Sequence, residues 1–89
     1  MNLHQFRFVQ EAARRNLNLT ETAKALHTSQ PGISHQILAL EDELKADIFV
    51  RDKSRLVALT ATGELIVGYI EEILANVDAI GQIAQSANR

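Results

Sequence analysis

Eighty-nine residues without a single cysteine suffice for one domain with one core, but so short a chain buries little more than half of its unfolded surface and leans on a partner for stability. Disulfides and thiolate metal sites are excluded, and the absence of cysteine fits a cytoplasmic setting better than an oxidising one. The opening Met1-Asn2-Leu3-His4-Gln5 has no basic stretch ahead of an apolar run, so neither secretion nor membrane insertion is indicated, and the formal net charge of −2 argues at first sight against a polyanionic partner.

Asn2 with Gln5 has the form of a capping box, and Leu3, Phe6, Val9 and Ala13 follow at helical spacing, which predicts a first helix ending near Asn16. Asn18 with Glu21 repeats the start signal, and Leu19, Ala23 and Leu26 line a short second helix that stops at His27-Thr28. A third helix over 29–44 starts on Thr28 or Ser29 as cap. It has Pro31 in its first turn and Ile33, Ile37, Leu40 and Leu44 on one face. The runs 48–51 and 56–59 flank the polar turn 52–55, a β-hairpin with a basic tip. Thr60 caps a last helix in which Ile66, Ile70, Ile73, Val77, Ile80 and Ala84 form a 4-3 series, the seam of a dimer interface. From Thr60 to Ala87 that helix would run about 40 Å at 1.5 Å per residue. The expected organisation is a mainly α winged helix-turn-helix over 1–59, with three helices and a two-stranded wing, followed by a dimerisation or linker helix over 60–89.

Helices two and three are so closely linked that they must cross steeply, the arrangement in which the second helix enters the major groove of DNA. With Ile33, Ile37 and Leu40 turned inward, Gln30, Pro31, Ser34, His35 and Leu38 face outward. Gln can pair with adenine, Ser and His with bases or phosphates, and Pro31 can touch a thymine methyl. Thr28 and Ser29, beside free N–H groups at the helix start, suit a phosphate as well as helix initiation. Arg51, Lys53 and Arg55 give the wing, 51–55, the charge for a groove or backbone contact. The distribution of charge also answers the objection raised by its sum. Up to Val57 there are eight Lys and Arg against seven Asp and Glu, and residues 22–40 contain no carboxylate.

The run Leu19-Thr20-Glu21-Thr22-Ala23-Lys24-Ala25-Leu26-His27-Thr28-Ser29-Gln30-Pro31-Gly32-Ile33-Ser34, with Leu40-Glu41-Asp42-Glu43-Leu44, Ile48-Phe49-Val50-Arg51 and Leu59-Thr60-Ala61-Thr62-Gly63, resembles the signature of LysR-type transcription regulators. The resemblance covers essentially the whole chain. The segments Asn2–Val9 and Asn16–Thr20 are similar to the CysB/Cbl branch, which implies control of sulfur assimilation genes. The resemblance implies a homodimer held by the last helix, with two recognition helices in successive major grooves of an interrupted palindrome. It also implies a tetramer in a longer protein whose additional domain binds a small-molecule effector. Gln30, Pro31, Ser34 and His35 become the expected base contacts, and Thr20, Thr28, Ser29, Arg51, Lys53 and Arg55 the expected backbone or wing contacts.

Two positions depart from the family pattern. His35 stands where the family usually has Arg or Lys, and a neutral imidazole lacks the charged fork of Arg, which implies weaker or pH-sensitive binding. Lys45 stands where Gly usually ends the recognition helix, so either Lys45 accepts the left-handed conformation or the helix ends differently. Catalysis has no support, because His4, His27 and His35 lack metal-ligand spacing and no phosphate-cradling glycine loop occurs; neither a cofactor nor a metal is called for. The rival to a DNA-reading domain is a dimerising protein-interaction module in which the helix-turn-helix merely packs.

Overall fold

A computed structural model describes residues 1–88; Arg89, the last residue of the expected linker helix, lies outside the described residues. The elements in chain order are α1 (Leu3–Arg14), α2 (Leu19–Ala25), α3 (Gln30–Leu44), β1 (Phe49–Asp52), β2 (Arg55–Leu59) and α4 (Ala61–Ala87). Side chains satisfy the open N–H groups at each helix start. Asn2 and Gln5 form the full capping box of α1, Asn18 Oδ1 accepts from the Glu21 N–H at 3.0 Å, and Ser29 Oγ accepts from the Gly32 N–H at 3.1 Å. Thr60 Oγ1 accepts from the Gly63 N–H at 2.8 Å. Each replaces water at a donor that the helix leaves unpaired, at a typical gain of about 1 kcal/mol.

The helix ends are unusual in using no glycine. Asn16, Leu17, His27, Lys45 and Lys53 all have positive φ, and no glycine does. α3 ends as a Schellman turn: the Ala46 N–H reaches the Glu41 carbonyl and the Lys45 N–H that of Asp42, with Lys45 at φ 55° and ψ 38°. Lys45 therefore accepts the left-handed conformation, one of the two outcomes the sequence allowed. His27, at φ 54°, closes α2 with the same pair of bonds, from Thr28 N–H to Ala23 and from His27 N–H to Lys24. α1 stops at Arg14 rather than near Asn16, because Asn16 and Leu17 both turn left-handed. Leu17 then packs half-buried against the core, which offsets the strain of placing a branched side chain there.

α1 packs against α2, α3 and α4. Val9 and Ala12 of α1, Ile33, Ile37 and Leu40 of α3, and Ile48 and Phe49 at the entry to β1 are essentially inaccessible to solvent. Ile70 and Leu74 of α4 complete the core. β1 and β2 pair antiparallel around the two-residue turn Lys53-Ser54, with Phe49 opposite Leu59 and Arg51 opposite Leu56. Val57 is the extra residue of a bulge, so Val57 and Ala58 both face outward while Leu56 and Leu59 both face inward. Beyond Val77 every described residue of α4 is exposed. The helix thus projects, and with it the molecule has principal extents of 51 × 26 × 21 Å.

Gly63 sets how closely α4 approaches the hairpin. A Cβ there would lie 2.0 Å from the Ile48 carbonyl oxygen, an atom that already accepts from the Thr60 N–H at 2.9 Å. Gly63→Ala is expected to lower stability by more than about 2 kcal/mol in denaturant unfolding, as overpacking against fixed backbone does; a change below about 0.5 kcal/mol would show that α4 can withdraw freely. Lys45→Gly is expected to raise stability by about 0.5–1 kcal/mol by the same measurement, since the left-handed conformation costs glycine nothing. A loss of stability would mean that the lysine stem contributes more than the strain removes.

Candidate nucleic-acid interface

α2 and α3 are joined by Leu26-His27-Thr28-Ser29, and the left-handed His27 gives the sharp turn between them. Ile33, Ile37 and Leu40 anchor one side of α3 at 0–1% exposure. Four of the five residues expected to face outward, Gln30, Pro31, His35 and Leu38, are exposed, and Ser34 is half-buried. All but Leu38 occupy the N-terminal half of α3, where a recognition helix meets base edges. Thr20 of α2 donates its hydroxyl hydrogen to Gln30 Oε1 at 3.1 Å. That bond fixes the Gln30 carboxamide and leaves its Nε2 hydrogens free to donate outward.

Two hollows flank the N-terminal half of α3. Thr20, Gln30 and Arg55 line the first together with Asn16, Asn18 and Ser54. Three side chains from α2, α3 and β2 are thereby brought to one cleft. Thr28 lies on the other side, in a hollow shared with Asn2, His4, Gly32 and Gln36. The hydroxyl of Ser29 is already occupied as the α3 cap, Pro31 has no N–H, and the Ile33 N–H is bonded to the Ser29 carbonyl, which leaves the Gln30 N–H at the helix start to face an anion. The sequence assigned no role to Asn16 or Ser54. The tolerance of Asn for positive φ was the one available signal for Asn16.

Of the three wing cations only two stand free in solvent. Lys53 and Arg55 are exposed. Arg51 is turned inward, its Nη2 2.8 Å from Glu41 Oε1, in an ion pair without hydrogen-bond alignment. The expected wing contact Arg51 is thus engaged by Glu41, with 24% of its side chain still exposed. In a strand alternate residues share a face, so the buried Phe49 carries Arg51 to the inner side.

The expected dimer seam also divides. Ile70 is 2% exposed and belongs to the core, Ile66 packs partly against it, and Val77 is half-buried. Ile70 therefore has no surface left for a partner. Ile73, Ile80 and Ala84 remain exposed. Leu65, Tyr69 and Ile83, which the 4-3 series did not include, are about 70% exposed. At 100° per residue Leu65, Tyr69, Ile73, Ile80 and Ile83 form a second apolar stripe, about 110° around α4 from the face that meets α1. Glu71 lies at the α1 contact, accepting from Gln10 Nε2 at 2.8 Å and from Arg14 Nη2 at 3.0 Å.

Among the described residues no group of His, Cys, Asp or Glu is placed to hold a metal, and no helix is long and apolar enough to cross a membrane. A helix-turn-helix with its second helix open at the N-terminal half, a basic-tipped wing beside it and a projecting apolar helix define a DNA-binding winged helix-turn-helix. The family model described as bacterial regulatory helix-turn-helix protein, lysR family, matches residues 3–64, and the chain belongs to that family. It is 53% identical over 85 residues to the HTH-type transcriptional regulator CysB of Burkholderia cenocepacia, covering 96% of this chain and 27% of that protein. Over 84 residues it is 43% identical to the HTH-type transcriptional regulator cbl of Escherichia coli, covering 94% and 27%. Its structure is similar to that of a CbnR_DBD–DNA complex, with a TM-score of 0.86, 30% identity and full coverage of both chains. Full-length OxyR C199D from Pseudomonas aeruginosa matches with a TM-score of 0.91 and 34% identity, covering 100% of this chain and 30% of that one. The chain thus spans little more than a quarter of the length of the curated relatives named here.

Proposed function

We propose that this domain reads duplex DNA as a homodimer, with α3 in the major groove and the wing on the backbone or minor groove of each half of an interrupted palindrome. The observation that carries the reading is the junction at the cleft of Thr20, Gln30 and Arg55. It joins the recognition helix and a free wing cation on one surface, in a domain that belongs to a DNA-binding regulator family. Gln30, Pro31, Ser34 and His35 meet base edges, while Thr20, Thr28, Ser29, Lys53 and Arg55 hold the sugar-phosphate backbone. The residues over 1–59 form the reading unit and α4 the linker. In a longer protein the remaining length would carry the effector site and the contacts of a tetramer. Similarity to CysB and cbl supports sulfur assimilation genes as targets. Selection of bound sequences from random duplexes tests the reading. Two inverted half-sites whose centres lie a whole number of helical turns apart are expected, and an unenriched pool would contradict it and favour the protein-interaction module.

The exposure of Leu65, Tyr69, Ile73, Ile80 and Ile83 supports a dimer contact on that stripe of α4, which shares Ile73 and Ile80 with the 4-3 series and leaves out the buried Ile70. Tyr69→Glu with Ile80→Glu is expected to give helical monomers by light scattering, whereas Ile70→Ala should cost about 2–5 kcal/mol of stability, as a cavity in the core does. A dimer that survives the double change would move the interface elsewhere. At the reading face, His35→Arg adds a permanent charge with forked donors. It is expected to tighten binding to the enriched duplex and to steepen log Kd against log salt by about 0.9 per half-site; unchanged affinity and slope would remove position 35 from the contact surface.

A further inference from the structure

We propose that Glu41 and Arg51 are a positioning pair for DNA recognition, fixing the wing at a set distance and angle from the recognition helix while neither residue touches DNA. The inference rests on the DNA reading above and deepens it. Glu41 lies in the C-terminal half of α3 and is 5% exposed. Its Oε2 accepts from the Ile48 N–H at 2.7 Å and from the Phe49 N–H at 3.1 Å, and its Oε1 faces the Arg51 guanidinium at 2.8 Å. Every one of these partners lies at the entry to the wing or within its first strand. Burying a carboxylate is unfavourable unless donors and an opposite charge surround it. Here the hairpin supplies them all, so any displacement of the wing from α3 strips the carboxylate of its partners.

The geometry then carries outward. Arg51 pairs with Leu56 and Asp52 with Arg55 across a two-residue turn, so anchoring residues 48–51 to α3 places Lys53 and Arg55 relative to Ser34 and His35. An apolar residue at position 41 could fill the same space at equal or greater stability. A carboxylate held by two backbone N–H donors and a facing guanidinium adds orientation instead, and orientation is what two DNA-contacting elements must share. Arg51, whose charge is matched by Glu41, adds no phosphate contact of its own.

The test compares the 89-residue chain with its Arg51→Gln, Glu41→Gln and Lys53→Gln variants, on the duplex enriched by selection and on an unselected duplex of equal length. Circular dichroism and thermal melts set a working temperature at which each variant is folded. Arg51→Gln and Glu41→Gln are each expected to weaken binding to the enriched duplex about tenfold, with less than about twofold loss on the unselected one. Their slopes of log Kd against log salt should equal that of the parent. Lys53→Gln should weaken both and reduce the slope by about 0.9 per protomer. Amide exchange at Ile48 and Phe49 should accelerate in Glu41→Gln, and Arg51→Lys should recover part of the specific affinity lost in Arg51→Gln. If Arg51→Gln reduces the slope as Lys53→Gln does, Arg51 is a DNA contact and the proposal fails. If both folded pair variants bind the enriched duplex as the parent does, the pair serves stability alone and the proposal also fails. A parent that binds neither duplex at low salt would overturn the DNA reading itself and this inference with it. If Arg51→Gln does not fold, Glu41→Gln decides by the same criteria.

Discussion

The burial of one face of α3 is the constraint from which the rest of the structure follows. Ile33, Ile37 and Leu40 are held at 0–1% exposure against α1 and the neighbouring elements, and a helix so fixed on one side presents its opposite side without freedom to rotate. Gln30, Pro31 and His35 are exposed because of that packing. Each end of α3 is then fastened: Ser29 caps its start, the turn through Lys45 closes its end, and Glu41 ties it to the hairpin. α1 lies behind as the common support, packing on both α3 and α4, so that the reading helix and the projecting linker share one rigid body.

A net charge of −2 is compatible with a polyanionic partner because the acids are largely matched or placed away from the reading face. Glu41 faces Arg51, Glu71 faces Arg14, Glu11 faces Arg15 and Glu21 lies near Lys24. The free charge at the reading surface is then set by the few cations that remain exposed, Lys53 and Arg55 among them, together with the Gln30 N–H at the start of α3. The charge sum describes solubility and self-repulsion, whereas affinity for DNA depends on local placement.

Much of this was legible in the sequence, because caps and periodicity are local signals. Asn2 with Gln5, Asn18, the pair Thr28-Ser29 and Thr60 marked the helix starts, and Ile33, Ile37 and Leu40 marked the inner face of α3. The helix ends were less legible where left-handed residues were not glycine. Leu17 at φ 65° carries no local signal, since its conformation is held by packing against distant residues. The 4-3 series in α4 gave a true periodicity and an incomplete meaning: spacing shows which residues share a face, but not whether that face meets its own domain, as Ile70 does, or a second copy. The pairing of Arg51 was hidden for a similar reason. Its charge is visible in the sequence, but the buried carboxylate that engages it comes from another element, ten residues earlier in the chain.

What remains is to see the surface engaged. The most direct measurement is an amide chemical-shift titration of the folded domain with the enriched duplex. It should move resonances along Gln30–His35, at Thr20 and through Lys53–Arg55, while leaving the Gln10, Arg14 and Glu71 contact between α1 and α4 unperturbed. Shifts confined to α4, with α3 and the wing silent, would contradict the assignment of the helix-turn-helix as the DNA-reading surface.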